Sequence, residues 1–93
     1  MLTLSSIPSF RRGYRLQWES VQHCHVILYP EGMAKLNESA ATILQLVNNT
    51  SSISDIIDSL KLRFPEAEDL PSDVLDFMQA AINQKWILIR DES

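Results

Sequence analysis

The spacing of the apolar residues changes once along this chain of 93 residues. Between Tyr14 and Trp18, apolar and polar residues alternate, which is the period of a half-buried β-strand. From Ala40 onward, apolar residues recur at spacings of three and four, which is the period of an amphipathic helix. Because the two periods occupy separate parts of the chain, the sequence predicts an α+β domain in which the strands come first.

The first third of the chain carries the signals of three antiparallel strands. The alternating residues 14–18 predict the first strand, and the β-branched and aromatic run over residues 23–29 predicts a more buried second strand. Pro30 and Gly32 occupy the second and last positions of a four-residue turn, as type I geometry favours. The turn leads to a short third strand over Met33–Leu36, paired with the second.

The remainder of the chain predicts three helices. Asn37 suits the N-cap of the first helix, and Ser52 with Asp55 resembles a capping box at the start of the second. The residues expected to face inward on the second helix are Ile53, Ile56, Ile57, Leu60 and Phe64. Pro71 suits the first turn of the third helix, and residues 86–89 form a closing extended segment. The whole order is that of a small winged-helix-like domain, a three-stranded antiparallel sheet followed by three helices.

Length and composition indicate one domain. Residues 1–10, with Pro8 and three serines, predict a flexible N-terminal arm, and residues 11–93 predict a single domain. The start of the sequence has neither the basic segment nor the long apolar segment of a signal peptide, so we expect a cytoplasmic protein.

Charge excludes several kinds of partner. The formal net charge is −4, whereas binding to nucleic acids or anionic membranes depends on clustered positive charge. The third helix begins with Asp73 and Asp76, where a helix that reads bases would carry basic or amide side chains. We therefore expect no nucleic acid and no membrane among the partners.

The residues that could support catalysis or metal binding are too few. His23 and His25 would lie on one face of a strand, but the sequence contains no other histidine and a single cysteine, Cys24. A closed zinc site needs four ligands and a catalytic zinc site needs three protein ligands. Both glycines are isolated, which excludes a phosphate-binding glycine loop. We expect no catalytic residue, no metal and no cofactor, so the chain is not expected to be an enzyme.

The predicted third strand offers a different kind of site. A short strand at the margin of a small sheet leaves backbone groups unpaired, and an extended peptide can add there as another strand. The apolar stripe of the third helix is broad enough to form a neighbouring wall, or it can simply pack the core. The sequence leaves both interpretations open.

The segments Val26–Asn37 and Glu38–Leu44 resemble the PqqD family, whose members take part in synthesis of coenzyme PQQ (pyrroloquinoline quinone). The resemblance covers roughly residues 8–90 and includes the closing Lys85–Ile87, with Asn48 and Asn49 standing where family members usually have Asp-Gly. It implies a non-catalytic peptide carrier that binds the precursor peptide PqqA and presents it to the radical SAM enzyme PqqE. The iron–sulfur cluster and SAM would belong to that enzyme. A recognition element for another ribosomally made, modified peptide is the alternative.

The resemblance also implies where the peptide lies, in a cleft between the third strand and the third helix. The residues that would offer backbone pairing are Met33, Ala34, Lys35 and Leu36. The residues that would form the helix wall are Leu75, Met78, Ile82 and Lys85. A proline at Ala34 is expected to weaken peptide binding if that N–H faces the cleft. The same exposed edge invites pairing with a second copy, so a homodimer that the peptide disrupts is also expected.

Overall fold

The computed structural model describes residues 2–90, so Met1 of the predicted arm and residues 91–93 of the predicted domain lie outside the described residues. The elements in chain order are β1 (Ile7–Phe10), β2 (Arg15–Glu19), β3 (Cys24–Tyr29), β4 (Gly32–Lys35), α1 (Glu38–Leu44), α2 (Ile53–Arg63), α3 (Leu70–Asn83) and β5 (Ile87–Arg90). Strands β2, β3 and β4 form an antiparallel sheet in that order, and β1 pairs with β5 in a second sheet of two strands. The predicted α+β fold, with three strands followed by three helices, is confirmed.

The turn between β3 and β4 lies where Pro30 and Gly32 predicted it. Tyr29 and Gly32 are opposite each other in the antiparallel register, so Pro30 and Glu31 form a two-residue connection. Gly32 has a φ of +155°, within a range that side-chain-bearing residues rarely adopt. The hairpin therefore fixes which residues of β4 lie beside which residues of β3.

Side-chain caps define the starts of α1 and α2. The Asn37 side-chain oxygen accepts a hydrogen bond from the Ala40 N–H at 2.8 Å. At α2, the Ser52 hydroxyl accepts from the Asp55 N–H at 3.1 Å, and the Asp55 carboxylate accepts from the Ser52 N–H at 3.0 Å. Both predicted N-caps are confirmed, and each satisfies backbone donors that the helix itself leaves unpaired.

The helices and the sheet share one apolar core. β3 contributes Ile27, the residue after β4 contributes Leu36, and α3 contributes Val74, Met78 and Ala81, all buried. The remaining members of this core cluster are Ala40, Ala41, Leu44, Val47, Ile53, Ile56, Ile57, Leu60 and Ile87. Among residues 2–90, no helix combines the length and the apolar character needed to cross a bilayer.

The side chain of Phe64 does not face the core, although the sequence predicted that it would. It is the C-cap of α2, with φ −132° and ψ 67°, so its backbone has already left the helical path. Its side chain is 44% exposed, and the Arg63 guanidinium lies 5.6 Å from the ring centroid. Extending the apolar spacing past the end of the helix therefore gave a wrong prediction for this residue.

From Ile7 onward, the segment predicted as a flexible arm forms a strand in the structure. Ile7–Phe10 pairs with Ile87–Arg90, and Ile7 is 5% exposed. Before β1, the Ser6 carbonyl accepts from the Ile53 N–H at 2.9 Å, which ties this segment to the first turn of α2. The pairing joins opposite ends of the chain, so local composition could not indicate it.

Candidate functional site: the free edge of strand β4

Strand β4 lies at one margin of the three-stranded sheet and pairs only with β3 among the described strands. The Leu36 N–H donates to the His25 carbonyl at 3.0 Å, just beyond the last residue of β4. Hydrogen-bonded pairs alternate along an antiparallel ladder. In the observed register, the N–H and C=O groups of Gly32 and Ala34 therefore face β3, whereas those of Met33 and Lys35 face outward.

This alternation shows that the Ala34 N–H does not face a peptide cleft. Ala34 lies opposite Ile27, and its N–H is directed into the sheet rather than toward a cleft. A proline there would remove a hydrogen bond within the sheet. The outward donors of β4 that a peptide could use are those of Met33 and Lys35, which the sequence pattern could not distinguish from Ala34.

The side chains of β4 and of Leu36, the residue after it, divide between two faces. Leu36 is 7% exposed and packs in the core, and Ala34, on the same face, is half-buried. Met33 is 42% exposed and Lys35 is also exposed, on the opposite face. Leu36 thus anchors the end of the strand, while Met33 and Lys35 are accessible from solvent.

The four residues predicted on the third helix have different environments. Met78 is completely buried, so its side chain supports α3 from within the core and offers no surface to a peptide. Leu75 and Ile82 are seven residues apart on one flank of α3, are half-buried and pack against the edge of the core cluster. Lys85 is exposed beyond the end of α3, with a φ of +67°.

The core links β4 to α3. Leu36 and Met78 belong to the same buried cluster, and Leu75 and Ile82 lie at its margin. The structure therefore places the end of the strand and the helix on one apolar core, with accessible apolar surface remaining at Leu75 and Ile82. These are the side chains of the predicted set that can form a wall.

The histidines are not arranged as alternate residues of one strand. His23 precedes β3 in a turn with a φ of +54°, whereas His25 lies within β3 and its ring contacts Trp18 edge-on, at 5.2 Å between centroids. Within residues 2–90, no group of three or more His, Cys, Asp or Glu side chains could hold a metal ion. His23 therefore lies in the turn before β3 and is not, as the sequence had predicted, an alternate residue of the strand that contains His25.

The model of the family described as coenzyme PQQ synthesis protein D (PqqD) matches residues 24–87, from the start of β3 to the start of β5. The chain belongs to the PqqD family. Among its relatives, the PqqA binding protein of Klebsiella pneumoniae is 59% identical over 87 residues, which cover 94% of this chain and 95% of that protein. The PqqA binding protein of Rahnella aquatilis is 57% identical over 93 residues and 98% of both chains.

A solved PqqD structure has the same fold. The solution NMR structure of the PqqD truncation of Methylobacterium extorquens PqqCD superposes with a TM-score of 0.78, at 26% identity and over 95% of each chain. That protein is described as a functional and stand-alone recognition element for ribosomally synthesized and post-translationally modified peptides. The predicted membership of the PqqD family is confirmed.

Proposed function

We propose that this PqqD-family chain binds the precursor peptide PqqA as an added strand along β4, and that it acts as a recognition element rather than an enzyme. Two of its relatives with more than half of their residues identical are named PqqA binding proteins. The observation in the fold that supports the mode of binding is the free edge of β4. The outward groups of that edge are of the kind that strand addition uses.

The edge supplies a short but regular set of backbone contacts. Met33 and Lys35 each direct one N–H and one C=O outward, so a peptide strand can exchange hydrogen bonds with both residues. Such bonds fix the direction and depth of the peptide and depend little on its sequence. Recognition of a particular peptide must therefore come from side chains around the edge.

Two features of the chain would provide this recognition if the peptide lies between β4 and α3. Leu75 and Ile82 offer an apolar wall on α3, where alternate peptide side chains can be buried. Lys35 and Lys85 are exposed cations in a chain whose net charge of −4 would otherwise repel an acidic ligand. The apolar wall and the two lysines would favour a peptide that carries apolar and acidic side chains.

The second part of the proposal concerns delivery. The bound peptide is presented to the radical SAM enzyme PqqE, which contains the iron–sulfur cluster and SAM and crosslinks a Glu and a Tyr of PqqA. Holding the peptide extended on β4 lowers the conformational entropy that the enzyme must remove before it reacts. We place this step in the cytoplasm, because a ribosomally made peptide is first available there.

An activity assay with PqqE tests the delivery proposal directly. We expect formation of the Glu–Tyr crosslink to depend on this chain, and the Leu75→Asp variant to support less crosslinking at equal concentration. Equal crosslinking without the chain would contradict the presenting role. If PqqA does not bind but the precursor peptide of another modification pathway does, the chain serves that pathway instead.

A further inference from the structure

The end of α3 lies beside the turn that follows β1. The Arg11 N–H donates to the Trp86 carbonyl at 3.1 Å, one residue pair beyond the ladder of β1 and β5. The next residues of the two segments are Arg12 and Lys85, and both of their side chains are exposed. Three cationic residues from distant parts of the chain therefore lie together, and Arg11, Arg12 and Lys85 are called the cationic cluster below.

The same turn contacts the hairpin that begins β4. The Tyr14 N–H donates to the Arg11 carbonyl at 2.9 Å, which closes a four-residue turn. Gly13 is the third residue of this turn and has a φ of +86°, as a type II turn requires. A Cβ atom at Gly13 would lie 3.6 Å from the Cγ atom of Pro30, in the connection between β3 and β4. The cationic cluster is thus located between the end of α3 and the start of β4.

The backbone of Lys85 adopts a conformation that favours glycine. Lys85 follows Gln84, the C-cap of α3, and has a φ of +67°. Its N–H donates to the Ile82 carbonyl at 2.9 Å, and the Trp86 N–H donates to the Ala81 carbonyl at 3.0 Å. These two bonds define a Schellman motif, in which glycine usually occupies the position of Lys85. A lysine here has a backbone cost that glycine would avoid, which points to a use for its side chain.

The segments that form the cationic cluster contain little negative charge. Residues 10–16 and 82–89 include no Asp or Glu, and the connection between β3 and β4 contributes one carboxylate, Glu31. The last acidic residue of α3 is Asp76, nine residues before Lys85, which is about 13 Å along a helix. The cluster is therefore a local positive region on a chain of negative net charge, and it favours a carboxylate supplied by a partner.

We infer that the cationic cluster binds a carboxylate of the peptide that lies along β4, outside the part that pairs with Met33 and Lys35. This contact depends on the proposed function, because the carboxylate belongs to the peptide that β4 binds. A peptide that continues past Met33 toward the start of β4 arrives beside the cluster. The guanidinium groups of Arg11 and Arg12 offer paired N–H donors to a carboxylate, and the ammonium group of Lys85 adds a third charge.

The cationic cluster adds information that the edge of β4 lacks. Backbone hydrogen bonds on the edge are available to any extended sequence, in several registers and in both directions. A carboxylate held at one end of the cleft fixes which end of the peptide lies beside the start of β4. The cluster therefore sets the register and the direction of the bound peptide.

Isothermal titration calorimetry of the full chain with synthetic PqqA tests this contact. Lys85→Gly removes the charge and supplies the residue that the backbone favours, so the dissociation constant should rise about threefold while the midpoint of urea unfolding does not fall. Lys85→Gln should weaken binding by the same factor, and Lys85→Arg should keep it. Combining Arg12→Gln with Lys85→Gly should raise the dissociation constant roughly tenfold. Lys61→Gln, which removes an exposed cation of α2, is the matched control and should leave it unchanged.

The peptide side of the contact is tested with PqqA variants in which one Asp or Glu at a time is replaced by its amide. One of these peptides should bind the unaltered chain as weakly as native PqqA binds the double variant. The same peptide should lose nothing further with the double variant, because the contact is already absent. Native sensitivity to the double variant in every amide peptide would show that no peptide carboxylate contacts the cluster.

The failures of the contact and of the proposed function are distinguishable. If the unaltered chain binds PqqA and the double variant binds it equally well, the cationic cluster does not contact the peptide and binding on β4 stands. An equal loss with Lys61→Gln would indicate a general charge effect and overturn the assignment to the cluster. A lower urea midpoint of Lys85→Gly with unchanged affinity would assign the lysine to the end of α3 instead. If the unaltered chain does not bind PqqA, both the contact and the proposed function are wrong.

Discussion

Two adjacent proline substitutions in β4 should have opposite consequences, because neighbouring N–H groups of a strand face opposite ways. Met33→Pro removes an N–H that faces outward and that β3 does not use. Proline is tolerated on an edge strand when its missing donor faces solvent. The sheet should therefore remain folded, and the loss should appear when PqqA binds.

The size of each effect depends on which hydrogen bond the proline removes. For Met33→Pro, one peptide hydrogen bond worth about 0.5–1.5 kcal/mol is lost, so the dissociation constant for PqqA should rise roughly two- to tenfold. Ala34→Pro instead removes the N–H opposite Ile27, a residue that is completely buried. Leaving a buried carbonyl without its donor costs about 1–3 kcal/mol, so the free energy of unfolding should fall by that amount.

Isothermal titration calorimetry with PqqA and urea denaturation monitored by circular dichroism measure the two quantities on the same proteins. Met33→Ala and Ala34→Ser keep their N–H groups and serve as matched controls. If Ala34→Pro keeps its stability and loses binding while Met33→Pro unfolds, the assignment of outward groups is wrong. If neither proline affects PqqA binding in a folded protein, the peptide does not bind as a strand on β4.

Three further outcomes are expected. Leu75→Asp should weaken PqqA binding at least tenfold in calorimetry and leave a cooperative urea transition. Met78→Asp should abolish the urea transition, since it places a carboxylate in the completely buried core. A folded Met78→Asp protein with weakened PqqA binding would show that Met78 lines the peptide site after all. Lys35→Glu should weaken PqqA binding roughly threefold, and this difference should shrink as salt is raised; a salt-independent loss would exclude a charge effect. Asn37→Ala should lower the free energy of unfolding by about 1 kcal/mol in urea, since it removes the acceptor of the Ala40 N–H; unchanged stability would contradict the contribution of this cap.

Local signals in the sequence predicted the local structure well. The turn at Pro30 and Gly32, the N-cap at Asn37 and the capping box at Ser52 all depend on residues within a few positions of one another. Their chemistry is therefore readable from short segments. The resemblance to the PqqD family, which the comparisons confirmed, added the expected location of the peptide.

Features that depend on distant parts of the chain were not predictable in this way. The pairing of β1 with β5 joins the two ends of the chain, and nothing in residues 1–10 alone indicates a partner. The exposure of Phe64 depends on where α2 ends. The distinction between the outward Met33 and the inward Ala34 depends on the register between two strands. A sequence pattern identifies a strand, but it does not show which of its backbone groups remain free.

The measurement that tests the account most directly is a titration of isotope-labelled chain with synthetic PqqA, followed by amide NMR shifts. The account predicts saturable binding with the largest shifts in β4, above all at Met33 and Lys35, and along α3 at Leu75 and Ile82. Hydrogen exchange of the Met33 and Lys35 amides should slow when the peptide is bound, because their N–H groups become hydrogen-bonded. Shifts concentrated on β2, with β4 unchanged and the Met33 and Lys35 amides still exchanging freely, would contradict it.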